Sequence, residues 1–173
     1  MIPAPQALAV ARSYFASLLR HDDSSMISPW REAALGDPVL VRTVELADSF
    51  WIVPVERRGQ ALGYISIGPG GQVLGHAYLY RDPNDLSACP PLATRISAKE
   101  ARELADDLLK TYSGARFSDP VFVHDGPHGR LAWMIEVRVE GELVSRVFLT
   151  PGYAYERRIG DELPPPGWRG RPA

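Results

Sequence analysis

Residues 119–157 read DPVFVHDGPHGRLAWMIEVRVEGELVSRVFLTPGYAYER, and the chain carries this pattern twice. Shifted by 82 positions, the distance from Trp51 to Trp133, the segment lies over residues 37–75 without a gap. Asp37, Pro38, Val39 and Val41 fall on Asp119, Pro120, Val121 and Val123. Val55 falls on Val137, Gly59 on Gly141, and Pro69-Gly70 on Pro151-Gly152. Apolar positions between these identities agree as well: Ile52 with Met134, Val53 with Ile135, Ile65 with Val147, Ile67 with Leu149. A gapless match of this length predicts one supersecondary unit used twice.

Within each copy the apolar residues alternate, as in strands that bury one face. Val39 and Val41 mark a first strand, and Trp51, Val53 and Val55 a second. Arg57-Arg58-Gly59-Gln60 predicts a tight turn with Gly59 at positive φ. Residues 61–67 then return, Pro69-Gly70-Gly71 turns the chain again, and residues 73–80 supply a further strand. The second copy predicts strands over 121–125, 131–139 and 143–150, with turns at Gly126-Pro127-His128-Gly129 and Glu140-Gly141. A helix precedes each set. Leu8, Ala11, Phe15, Leu18 and Leu19 share one face of a helix over 5–20, with Pro5 in its first turn. Ser97-Ala98-Lys99-Glu100 is a capping box, followed by an apolar stripe of Ala101, Leu104, Ala105, Leu108 and Tyr112. The helices align at a shift of 90 (Leu18 to Leu108), so the first copy has eight more residues between helix and sheet. They lie around Trp30, where a short helical turn over 29–35 is expected.

The resulting fold class is α+β, with two tandem αβββ(β) repeats, each an antiparallel sheet packed by one helix. Residues 1–81 form the first repeat, 82–95 a linker, 96–157 the second repeat, and 158–173 an extended, flexible proline-rich tail. Whether the repeats share one sheet is open at this stage. A chain of 173 residues needs no disulfide or metal to hold such a core. Its net charge of −2 gives no electrostatic footprint for nucleic acid. No apolar run is long enough to span a bilayer, and no secretory signal precedes the first helix. The expected location is the cytoplasm if the chain is complete, and the envelope or exterior if a signal has been removed.

Residues 96–157 resemble the PepSY domain. The resemblance rests on ISAKEARELADDLL and AWMIEVRVEGELVSRVFLTPG, with Ile96, Ser97, Glu100, Ala101, Trp133, Ile135, Val137, Gly141 and Gly152 in the family's positions. It implies a small cystatin-like module of the kind found in peptidase propeptides and bacterial envelope proteins. Such a module binds or restrains a protein partner without chemistry of its own.

The side chains that carry chemistry elsewhere sit in ordinary structural contexts here. His124-Asp125 and His128 flank a glycine-proline turn rather than sharing a helix face, so no metal site is expected. His21-Asp22-Asp23 follows a helix end, where a histidine suits the terminal carbonyls. His76 lies in a strand without an identifiable partner. Cys89, the single cysteine, is in a loop and not at a helix N-terminus. Gly68-Pro69-Gly70-Gly71 joins two strands and lacks the following helix that a phosphate cradle needs. No cofactor is expected, and the chain does not read as an enzyme.

Phe50, Ile52, Pro54, Leu62 and Tyr64 would face away from the helix, where a solvated sheet alternates to polar residues. The second copy is more polar there, with Glu136, Arg138 and Arg146. An apolar outer face calls for a cover: the other repeat, the Trp30 segment, a second subunit or a foreign partner. The expected function is therefore a non-catalytic protein-interaction module: an adaptor, assembly factor or small subunit. Its binding residues would be Phe50, Ile52 and Tyr64 on the sheet, and Trp168, Arg169 and Arg171 in the tail. The partner would be a protein, including a peptidase or a second copy of the chain. A peptidase regulator of the propeptide type is the alternative, and a small-ligand-binding protein or small enzyme the third reading.

Overall fold

The computed structural model of the chain describes residues 1–87, 89, 98–125, 131–150 and 153–160. Helix α1 (Ala4–His21) opens on proline, which has no N–H to leave unpaired, and closes with the Asp22 N–H on the Leu18 carbonyl. Arg20 and His21 in its last turn complement the negative end of the helix dipole. The expected turn around Trp30 lies earlier and is longer: a 3-10 helix spans Ser25–Glu32 and buries Ile27, Pro29 and Trp30. It leads into a short strand, β1 (Ala34–Leu35), which pairs with β3 (Asp48–Arg57).

The remaining strands are β2 (Val39–Arg42), β4 (Gln60–Ile67), β5 (Val73–Tyr78), β6 (Arg116–Phe117), β7 (Val121–His124), β8 (Leu131–Val139), β9 (Glu142–Thr150) and β10 (Tyr153–Arg158). Helix α2 (Ala98–Leu109) lies between β5 and β6. The fold is α+β, and the strands of both halves, whose sharing of one sheet the sequence leaves open, form one mixed sheet. Its order is β10-β9-β8-β7-β2-β3-β4-β5, with β1 on β3 and β6 on β8. β2 and β7 meet in parallel, registered at Arg42 and Val123. The physical reason is the cost of unpaired edges. Each meander would otherwise expose its first strand, and joining β2 to β7 leaves, among the described residues, β5 and β10 at the ends of the main strand order. The last strand, β10, runs through Arg158.

Pairing registers recur between the halves. β3 and β4 pair Trp51 with Ile67, Val53 with Ile65 and Val55 with Gly63. β8 and β9 pair Trp133 with Leu149, Ile135 with Val147 and Val137 with Ser145. A bulge follows Val55 in one half and Val137 in the other. The two hairpin turns have positive φ at both central residues, Arg58-Gly59 and Glu140-Gly141, which matches the right-handed twist of the strands they join.

The bulge has a consequence that alternation alone misses. Leu62 sits in its extra position, so it turns back under α1 and is fully buried there instead of facing outward. Val144 in β9 likewise packs toward α2. The core under α1 comprises Ala7, Ala11, Ile27, Trp30, Val53, Val55, Leu62, Ile65 and Ile67 with Tyr80 and Cys89. The core under α2 is smaller: Ala101, Ala105, Leu109, Ile135, Val137, Val147 and Leu149. α2 approaches its sheet through alanines, and Leu104, expected in its apolar stripe, is 61% exposed. The capping residue Ser97 lies outside the described residues.

Candidate functional site

Two of the residues expected to dock a partner, on the first half's face away from α1, are buried. Phe50 and Ile52 are each only 2% exposed. They form a core with Val41, and Phe122 and Leu131 from the other half pack against it together with Val39 and Tyr64. A neighbouring cluster of Val123, Ala132, Met134 and Phe148 takes in Val44 from the first half. Each half thus supplies part of the cover for the other's outer face. Tyr64 is half-buried at the margin of this cluster, and Pro54 is buried. Trp168, Arg169 and Arg171 lie outside the described residues.

Buried polar residues of the second half are paired. Asp125 is buried rather than a turn decoration, and Arg157 engages it with two contacts, Nη1 to Oδ1 at 2.7 Å and Nη2 to Oδ2 at 2.8 Å. The Tyr155 hydroxyl donates to the same carboxylate at 2.7 Å. Phe148 stacks on Tyr155 with ring centroids 4.9 Å apart, and the Arg157 guanidinium lies over the Phe148 ring. A two-pronged arginine–carboxylate pair fixes orientation as well as charge. Here it ties β10 to the end of β7. His124 sits beside it with Nε2 3.2 Å from the Ser49 hydroxyl. His128 lies outside the described residues. Glu136, also buried, accepts from Arg138 at 2.9 Å.

The other sequence candidates resolve into local structure. Asp22 caps a turn, its carboxylate accepting from the Ser24 N–H at 2.8 Å, and that hydrogen bonding lowers its pKa. Cys89 is buried, and burial raises its thiol pKa, which disfavours the thiolate. The Gly68–Gly71 turn closes on itself through Gly71 N–H to Gly68 O, and its Pro69 carbonyl accepts from the Ile2 N–H.

His76 on β5 does have a partner. Its Nδ1 is 3.0 Å from the Tyr14 hydroxyl of α1, and Trp30 and Tyr78 meet the ring edge-on at 5.6 Å and 5.2 Å. Burial lowers the His76 pKa, against an upward pull from Asp22. The unfolded chain therefore binds the proton first as pH falls. The stability supplied by neutral His76 is full above the ordinary histidine pKa of about 6.5 and declines on acidification through it. The loss is complete below the lowered folded value. The denaturant midpoint should thus fall more steeply on going from about pH 7.5 to 5.5 in the native chain than in His76→Gln. Equal slopes in the two proteins would show that His76 plays no part.

A different surface emerges at the sheet's end. β5 has a strand neighbour on one side only among the described residues, and its sequence, VLGHAY, contains no Asp, Glu, Lys or Arg. The opposite end strand, β10, reads YAYERR and is protected by its charges. Leu74 on β5 is 51% exposed and Leu79 just beyond it 36%. Beside β5, α1 forms a shallow groove lined by Gln6, Ala9, Val10, Ser13, Tyr14 and Val73, again without a charged side chain. Sequence reasoning missed this site because it weighed faces of strands and not their order in the sheet. The uncharged run from Val73 to Tyr80 was the available signal.

Among the described residues no group of three or more metal-ligating side chains comes together, and no helix is long and apolar enough to cross a membrane. Comparison with protein-family models, curated proteins and solved structures gives no match.

Proposed function

We propose that this chain is a non-catalytic protein-interaction module, an adaptor or small subunit built from two PepSY-like units, that takes an extended segment of its protein partner onto β5. The observation that carries this reading is an uncharged, partly exposed end strand beside an apolar groove. Such an edge offers main-chain hydrogen bonds for affinity, and the groove offers side-chain contacts for selection. Support for two related units comes from the pairing registers and bulges that recur at the Trp51-to-Trp133 offset.

The test is affinity measurement between the full chain and a partner purified with it from the source organism. Leu74→Lys places a charge on the edge at an exposed position and should weaken binding about tenfold or more. Leu104→Lys on α2, somewhat more exposed and remote, should leave it unchanged. Full affinity in Leu74→Lys would rule out strand addition at β5. The PepSY resemblance favours a second reading, in which the partner is a peptidase. Slower substrate cleavage by that peptidase in the presence of the chain would support it, and an unchanged rate would remove it.

A further inference from the structure

The geometry points to a binding site for an acidic, extended segment of a protein partner on the second half's face away from α2, held by Arg116, Arg138, Arg146 and Arg157. The site lies on strands other than β5 and is independent of strand addition there.

Alternation and register put the four arginines on one face. Ile135, Val137 and Val147 pack under α2, so Glu136 and Arg146, which alternate with them on β8 and β9, face away from it. Arg146 stands directly opposite Arg157 of β10, and Arg116 of β6 directly opposite Arg138 of β8. Directly opposed side chains share a face, and Arg138 reaches Glu136 on it at 2.9 Å. β6, β8, β9 and β10 are successive neighbours, so the arginines are spread over three strand spacings, roughly 14 Å.

Like charges set directly opposite each other across strands cost stability. The carboxylates on this face offset only part of that cost. Asp125 is engaged by Arg157, and Glu136 by Arg138. Arg146 Nε, in contrast, is buried without a hydrogen-bond partner and stands 3.9 Å from Glu136 Oε1. Arg116 is exposed and, among the described residues, enters no ion pair. Four arginines thus meet two carboxylates, a positive surplus in a chain whose net charge is −2.

That surplus calls for an anionic occupant, and its layout favours a peptide. Guanidinium forks match carboxylates. An extended chain sets its same-side residues about 7 Å apart, so acidic residues at alternate positions reach successive arginines across the sheet. Nucleic acid suits the face less well. The net negative chain repels a long polyanion, and no ring here is free to stack on bases: Phe148 is fully buried and Tyr155 is stacked on it.

Fluorescence anisotropy on the full chain tests this, using a fluorescein-labelled peptide of alternating glutamate and threonine at near-physiological ionic strength. The expected result is saturable binding of that peptide and none of its glutamine–threonine analogue. Affinity should fall about tenfold in Arg116→Gln and in Arg146→Gln, and should not fall in Leu74→Lys. Both arginine variants should also keep or raise the urea midpoint, because each relieves a like-charge pair, whereas a merely structural role predicts a loss. Should Arg146→Gln fail to fold, the exposed Arg116→Gln carries the test alone. No saturable binding, equal binding of the glutamine analogue, or full affinity in Arg116→Gln overturns the proposal, as does a lowered midpoint in that variant. Tighter binding of oligothymidylate than of the acidic peptide overturns it in favour of nucleic acid. Loss of the peptide in Leu74→Lys would move it to β5, while failure of strand addition at β5 leaves its binding in place.

Discussion

Trp30→Ala is expected to destabilise the protein by about 3–5 kcal/mol, the range for removing a fully buried aromatic ring. Trp30 is fully buried and packs against Phe15, His76 and Tyr78 with ring centroids at 5.9, 5.6 and 4.9 Å. Its ring also fills the space over Gly63, where an added Cβ would come within 2.6 Å of Cζ2. Truncation would leave a cavity walled by the sheet backbone, which cannot collapse to fill it. Urea unfolding followed by circular dichroism measures the effect. A loss below about 1 kcal/mol would mean that the 3-10 helix contributes little to the core. The Trp30 segment is also what the second half lacks. There the position of Gly63 is held by Ser145, whose hydroxyl lies 3.0 Å from Glu156 Oε1 and 3.1 Å from the Arg157 carbonyl oxygen and donates its single proton to one or the other. One half uses an inserted indole to secure its last strand, and the other uses hydrogen bonds.

Removing Asp125 should cost about 3 kcal/mol, because it leaves the Arg157 guanidinium without its carboxylate in a site with little access to water. Arg157 retains 17% side-chain exposure, which places the effect at the lower end for a buried pair. The informative experiment is a cycle of Asp125→Ala, Arg157→Met and the double variant. The double variant should lose about 1–3 kcal/mol less than the two single losses combined, since neither charge is then stranded. Strict additivity would reduce the pair to two independent surface charges. The same single variants should leave the β5 surface intact, as the pair sits at the other end of the sheet.

Local structure was readable in the sequence wherever neighbouring residues decide it. The Leu8-to-Leu19 spacing gave α1, alternation around Trp51 and Trp133 gave β3 and β8, and Arg58-Gly59 and Glu140-Gly141 gave the hairpins. What could not be read depends on contacts between distant segments. Phe50 and Ile52 look like an exposed apolar face because strand alternation cannot reveal that Phe122 and Leu131 will cover them. Leu62 looks outward because alternation assumes no bulge, and a single extra residue reverses the side on which it falls. Asp125 looks like a turn residue because its arginine is 32 positions away on a strand that pairs elsewhere. β5 as a binding edge required the strand order, and strand order is a property of the whole sheet.

The seam between β2 and β7 has a consequence for how the chain is made. It registers Arg42 against Val123, whereas every other strand pair joins residues within one half. During synthesis the first half can complete its own hairpins while Val123, Phe122 and Leu131 have yet to emerge. Phe50, Ile52 and Val41 then stand uncovered on a nascent half-sheet whose β2 edge is also unpaired, a surface prone to aggregation. The hazard ends only when the second meander arrives and docks. The patch that is silent in the finished molecule is thus the one a ribosome-bound intermediate has to protect.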